Sequence, residues 1–198
     1  MLQTLCIASN NAHKIQEIKA ILNDGFRVLS LTDIGCHEEL PETQSTIEGN
    51  SLQKAQYVYD KYHVPCFADD TGLEVDALNG EPGVFSARYA GDHKNSEDNI
   101  DLLLKKLATQ ASRKARFRTV VTLVGLEDHP INFEGIVKGE IIPERRGTSG
   151  FGYDPIFIPE GYERTFAEMT IQEKSQLSHR ALAIKKLEQF LSHRAASL

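Results

Sequence analysis

Apolar positions along this chain recur in two rhythms, and the change from one to the other marks out strands and helices. Leu2 to Ala8 predicts a strand, and from Ala12 the period becomes helical, with Ile15, Ile18, Ile21 and Leu22 on one face and Lys14, Glu17 and Lys19 elsewhere. Phe26 to Leu31 predicts a second strand, Thr32 to Glu48 a polar loop containing Pro41, and Asn50 to Tyr62 a second helix with a wide stripe of Leu52, Ala55, Tyr57, Val58 and Tyr59. Val64 to Ala68 predicts a buried strand that stops on Asp69 and Asp70 before a Thr71-Gly72 turn. Leu73 to Leu78 alternates apolar with acidic residues, the period of a half-buried strand, and Asn79-Gly80 is a turn dipeptide. Ser96 to Asn99 opens a third helix whose apolar face is Ile100, Leu103, Leu104 and Leu107. Phe117 to Leu126 and Ile131 to Ile142 predict two strands around the Glu127 to Pro130 turn, preceded by the basic run Arg113 to Arg118, expected along a sheet edge. Thr170 and Glu173 spell a capping box for a short helix, and Leu177, Ala181, Ile184, Leu187 and Leu191 mark a longer one after it.

Composition narrows the classes. The 198 residues suffice for one domain, whole or in two lobes, with an ample core. Hydrophobic content of 40% and charged content of 25% are those of an ordinary globular protein, and the net charge of -6 argues against nucleic acid as the main partner while leaving room for a small anion held by locally gathered cations. Cys6, Cys36 and Cys66 show no metal-ligand spacing and fit a reducing compartment. The first residues lack a basic segment followed by a long apolar run, and no stretch approaches eighteen apolar residues, so neither secretion nor a membrane span is expected.

Four stretches carry candidate chemistry. Neighbouring strand residues point to opposite faces, so of Asp69 and Asp70 only one faces a given cleft, and Asp70 is favoured; the plainer reading is a strand end whose carboxylates cap backbone N–H groups. Ser9-Asn10-Asn11 joins a strand to a helix N-terminus, a natural anion cradle with Lys14 one turn in; read alone, the ordinary helix cap is the favoured reading, because Ser and Asn are the usual capping residues. Gly147 to Pro155 holds three glycines within six residues, which let backbone approach a ligand, and aromatics that offer a flat face to a base; alone it reads as readily as a mobile connector. Lys54 lies off its helix's apolar stripe, and Ser178-His179-Arg180 opens the last helix; solvated surface positions are the alternative for both.

These stretches, read together, resemble the inosine triphosphate pyrophosphatase family, also called the dITP/XTP pyrophosphatases. The resemblance rests on Ser9 to Lys14, Ala68 to Gly91, Gly150 to Phe157, and Lys174 to Arg180, four segments that agree in identity and order, with Asn50 and Lys54 matching the family's second helix; it covers nearly the whole chain. It implies that Ser9, Asn10, Asn11, Ala12, His13 and Lys14, with Lys54, hold the triphosphate side of the substrate, and that Thr71 also binds substrate. It implies further that Phe151 stacks on the purine, that Gly152, Tyr153 and Asp154 shape the nucleoside pocket, and that Lys174, His179 and Arg180 contact substrate. Asp70 is implied as the base, with Asp69 sharing the work, and as a ligand of Mg²⁺. Glu48 is a second candidate ligand, one residue out of register because Gly49 stands where many relatives carry an acid.

The expectation is an α/β fold, an elongated mixed β-sheet flanked by helices, forming over residues 1–198 a single domain of two lobes with a central active-site cleft. The expected activity is Mg²⁺-dependent hydrolysis of ITP, dITP and XTP to monophosphate and pyrophosphate, by a cytoplasmic homodimer without nucleic-acid or membrane partners. Fixed donors such as Arg180, His179 and the glycine-loop N–H groups would select a 6-oxo purine over adenine, whose amino group leaves them unpaired. Two rivals remain at this level: a related pyrophosphatase acting on pyrimidine or modified nucleotides, and a nucleotide-binding regulatory module without turnover.

Overall fold

The computed structural model describes residues 3–22 and 26–196. In chain order the elements are β1 (Gln3–Ile7), α1 (Ala12–Ile21), β2 (Phe26–Leu29), α2 (Ile47–Tyr62), β3 (Cys66–Val75), β4 (Pro82–Gly83), α3 (Ser96–Leu107), β5 (Lys114–Val124), β6 (Ile131–Ile141), β7 (Phe157–Pro159), α4 (Ile171–Leu177) and α5 (His179–Ala196). The strands form one sheet in the order β2-β1-β3-β5-β6-β7, with β4 paired to β3. It is mixed: β1 runs parallel to β2 and β3, while β3 with β4 and β6 with β7 are antiparallel.

The chain folds as two compact units. The first comprises the chain up to Asp70, Thr119–Gly135, and the chain from Arg180. Its strands alternate strictly. Leu5, Ile7, Phe67, Val121 and Leu123 face Ile18 of α1 and Ala183, Ile184, Leu187 and Leu191 of α5, while Cys6, Ala8, Cys66, Ala68 and Val124 face Ala55 and Val58 of α2. A period of two on a strand puts successive residues on opposite faces, so one short apolar run supplies two separate cores. The three cysteines all lie on the α2 side, unpaired and buried, and burial pushes the thiols of Cys6 and Cys66 up to about 12.

The second unit comprises Thr71–Arg118 and Ile136–His179. Ile100, Leu103 and Leu107 of α3 pack with Leu73, Val75, Ala115, Phe117, Phe157, Phe166 and Met169. The helical spacing of the α3 leucines presents one face, as the sequence pattern predicts.

Three expectations are corrected. β3 does not stop at the two aspartates: it continues through Asp69, Asp70, Thr71 and Gly72 to Val75, because Leu73 and Glu74 still have pairing partners in Gly83 and Pro82. The Leu73 to Leu78 segment is therefore the end of that same strand followed by a short 3₁₀ turn, Asp76–Leu78. The basic run opens β5, which lies between β3 and β6 and not at an edge; Arg116 reaches Glu74 Oε2 of neighbouring β3 at 2.5 Å, and Arg113 donates to the Ile141 carbonyl at 2.6 Å. Smaller shifts occur at termini. α2 begins at Ile47, capped by the Thr46 side chain, which accepts from the Gly49 N–H. The expected start of the first strand at Leu2, and both ends of the expected domain, lie outside the described residues.

Candidate active site

In the first unit, β1 ends at Ile7 and the chain turns through Ser9, Asn10 and Asn11 into α1. Asn11 is the helix cap, its Oδ1 accepting the Lys14 N–H at 3.1 Å, while Ser9 Oγ accepts the Asn11 N–H at 3.2 Å. Asn10 Nδ2 lies 3.4 Å from the Glu38 carbonyl. Ala12 and His13 form the exposed first turn of α1, whose orphan N–H groups and dipole favour an anion. The capping reading holds at Asn11.

Lys14, one turn further, places Nζ 3.1 Å from Asp69 Oδ2. The same oxygen accepts from Arg180 Nε at 3.2 Å, and Arg180 Nη1 donates to Glu17, a buried acid of α1. Burial alone would raise the Asp69 pKa, but Lys14 and Arg180 outweigh it and hold the carboxyl well below the usual carboxylate range. Burial lowers the pKa of Lys14 against the opposing pull of Asp69.

Asp70 occupies the opposite side of the strand, as pleating requires. Its Oδ2 accepts from Asn50 Nδ2 at 3.3 Å, and its Oδ1 lies 3.8 Å from Lys54 Nζ. Lys54 in turn donates to the Asp69 carbonyl at 2.8 Å and to Glu42 Oε1 at 2.5 Å. Burial raises the Asp70 pKa, with Glu42 and Asp69 pushing the same way and Lys54 and Lys14 opposing. The two neighbouring aspartates therefore have opposite characters, one a fixed anion among cations and the other a carboxylate prone to take up a proton.

Glu42 is the site residue that the hydrophobic pattern does not find. It sits in the Thr32 to Glu48 stretch, which carries no periodic signal, and joins the site only because Lys54 reaches it. Glu48 lies half-buried in the first turn of α2. Among the described residues no group of three or more His, Cys, Asp or Glu side chains forms a metal cage. The carboxylates of Asp70 and Glu42, drawn to one ammonium, nonetheless suit a hard cation such as Mg²⁺, which needs only one or two carboxylates when substrate phosphates complete its shell.

The second unit holds the remaining candidates. The glycine-rich turn is shaped by Asp154, whose Oδ2 accepts the Phe151 N–H at 2.9 Å and the Lys174 ammonium at 2.9 Å. Lys174 Nζ also sits 5.7 Å from the centre of the Phe151 ring and 5.6 Å from that of Phe166. Gly150 and Gly152 adopt φ of +79° and +59°, where side chains are strained, and a Cβ on Gly150 would stand 2.1 Å from Asp154 Oδ2. Phe151 and Gly152 are half-buried, whereas Tyr153 is buried and directs its hydroxyl to the Ser86 carbonyl at 2.9 Å. His179 is buried with its ring stacked 4.6 Å from that of Phe117. Thr71, half-buried, is the first residue of this unit on β3. α4 begins at the expected capping box, Thr170 Oγ1 accepting the Glu173 N–H and Glu173 Oε2 accepting that of Thr170.

The sequence model of the Ham1 family matches residues 5–190, both aspartates, the glycine-rich turn and Arg180 included. The chain belongs to the Ham1 family. Among its Ham1 relatives, a dITP/XTP pyrophosphatase of Flavobacterium psychrophilum is 52% identical over 96% of this chain and 99% of its own length. A protein of the same description from Porphyromonas gingivalis is 50% identical over 96% and 98%. The solved structure of the Staphylococcus aureus Ham1 protein superimposes with a TM-score of 0.87 at 41% identity, covering 97% of this chain and 100% of that one. A Ham1 protein from Coxiella burnetii gives a TM-score of 0.88 at 36% identity over 96% and 99%. The mixed α/β fold is thus that of the Ham1 proteins. Among the described residues no helix is long and apolar enough to cross a membrane.

Proposed function

We propose that this chain hydrolyses the triphosphates of deaminated purines, ITP, dITP and XTP, to the nucleoside monophosphate and pyrophosphate. The observation that carries the reading is the divergence of the paired aspartates: Asp69 is held charged by Lys14 and Arg180, while Asp70 is pushed toward proton uptake. Full-length relatives described as dITP/XTP pyrophosphatases supply the substrate class.

In this scheme the first turn of α1, with Ser9, Asn10, Asn11, Ala12 and His13, receives the polyphosphate. Lys14 and Lys54 offset its charge as the anhydride bond breaks. Asp70 orients the attacking water and accepts its proton, a contribution of about 10²–10⁴-fold where general bases have been measured. Asp69 acts as the anchor that keeps Lys14 and Arg180 in place. Asp70 and Glu42 would hold Mg²⁺, with Glu48 a further candidate; the ion would stabilise charge on the phosphate oxygens and the leaving pyrophosphate. At the base end, Phe151 stacks on the purine, and Gly152, Tyr153, Asp154, Lys174 and His179 define the nucleoside pocket, with Thr71 on β3 nearby in sequence to Asp70. Fixed donors there leave adenine unfavoured, because its 6-amino group meets donors with a donor.

The single two-lobed domain, the homodimer and the cytoplasmic setting belong to the same proposal. The first two rest on the family resemblance, and the third on three unpaired, buried thiols that fit a reducing compartment. The deciding measurement is pyrophosphate release from ITP, XTP, dATP, dGTP and dTTP with Mg²⁺, with and without chelator. Chelator-sensitive turnover of ITP and XTP in preference to the others is expected; equal rates on all five, or none, would discard the assignment.

A further inference from the structure

Asn50 is buried in α2 with 2% of its surface exposed, and both ends of its amide are engaged. Its Oδ1 accepts the Gln44 backbone N–H at 2.8 Å, and its Nδ2 donates to Asp70 Oδ2 at 3.3 Å. A backbone N–H only donates, so the amide oxygen must face Gln44 and the NH₂ must face the carboxylate; chemistry fixes the orientation. Gln44 stands two residues after Glu42. Gln53, one turn along α2, holds the intervening Thr43 twice, accepting its N–H at 2.9 Å and donating to its Oγ1 at 2.8 Å.

We propose that Asn50 is a positioning residue for the hydrolysis, a role that rests on Asp70 being the base. One rigid amide fixes the Asp70 carboxylate by its Oδ2 and leaves Oδ1 as the oxygen presented to the reaction. The same amide anchors the segment that carries Glu42, so the two carboxylates keep their mutual placement without touching. Deletion of the donor lets Asp70 rotate, and a misplacement of about 1 Å at a reacting group is enough to cost on the order of 10²-fold in rate. Asn50 touches no substrate in this arrangement, so its loss falls on kcat and spares KM.

The test is Asn50→Asp, which keeps size and the acceptor for Gln44 but replaces the donor to Asp70 with a second carboxylate. Asn50→Ala serves as the second variant should Asn50→Asp not fold. The expected result is a fall in kcat for ITP of about tenfold or more, with KM close to the parent and a thermal midpoint lowered by the lost buried hydrogen bond. Nucleotide affinity measured calorimetrically in chelator should also be unchanged. Full kcat in the folded variants, or a loss carried by KM or by calorimetric affinity, overturns the inference while leaving the proposed activity intact. A parent chain inert toward ITP removes the activity itself and this role with it.

Discussion

Asp69 and Asp70 share a residue type and a strand, yet the side chains around them give them separate work. Replacing Asp70 by Asn should leave nucleotide affinity nearly unchanged and lower kcat by about 10²-fold or more, as read by calorimetry and pyrophosphate release on one preparation. Normal turnover would transfer the base role elsewhere, and retained binding without turnover removes the reading of a regulatory module that never had any. Because burial raises the Asp70 pKa, its carboxyl should titrate above the ordinary aspartate value of about 3.9 in the chain kept in chelator, as read from its carboxyl NMR shift against pH. Asp69 governs stability with the opposite sign. Its depressed folded-state pKa contributes stability that is present above the unfolded value and is lost as pH falls through the folded one. Arg180 is the counterpart, 2% exposed and donating to Asp69 and Glu17. Arg180→Met removes the guanidinium that joins the two carboxylates, leaving Asp69 with Lys14, and should cost about 3–5 kcal/mol in urea unfolding at pH 7, the usual penalty for breaking a buried pair. A cost below about 1 kcal/mol, the level of an exposed pair, would show that water reaches the cluster.

Elements position these groups through features that differ in how plainly they are written. The glycine-rich turn depends on backbone that only Gly150 tolerates beside Asp154. Gly150→Ala should displace Asp154 from the Phe151 N–H and Lys174, raising KM for ITP about tenfold, or about 1.4 kcal/mol, with kcat less affected. Steady-state kinetics settle it, and an unchanged KM would detach the turn from base recognition. The helices were legible because α1, α3 and α5 bury one stripe each, and period is what a sequence displays best. β3 was misread at its aspartates because charge and a Thr-Gly pair ordinarily end a strand. Here cations from α1, α2 and α5 neutralise the charge, and local composition cannot announce such distant partners. Glu42 was missed for the same reason, and Asn50 was seen only as a motif position. The basic run was expected at an edge because its Glu74 partner lies 42 residues away in the sequence. The bonds of Arg180 to Asp69 and Glu17 span 111 and 163 residues of sequence and leave no local sign.

At the scale of the molecule, the chain passes from one unit to the other after Asp70, Arg118, Gly135 and His179. The first unit is closed only when α5 arrives with Arg180 and its apolar face, so the last stretch of sequence completes the surroundings of an aspartate 111 residues earlier. Lys14, Lys54 and Arg180 gather in that unit around the carboxylates of Asp69, Asp70, Glu42 and Glu17, so each buried charge there has an opposite one beside it. The three thiols on the α2 side of the same unit supply a clock for its opening. A buried thiol is closed to an alkylating reagent, so iodoacetamide should mark Cys6, Cys36 and Cys66 only when the unit unfolds. Counting alkylated cysteines by mass against time should give an all-or-none pattern, zero or three per molecule, and a bound nucleotide should slow it in proportion to its affinity. Partly labelled molecules would mean that the sulfur-bearing layer breathes in pieces.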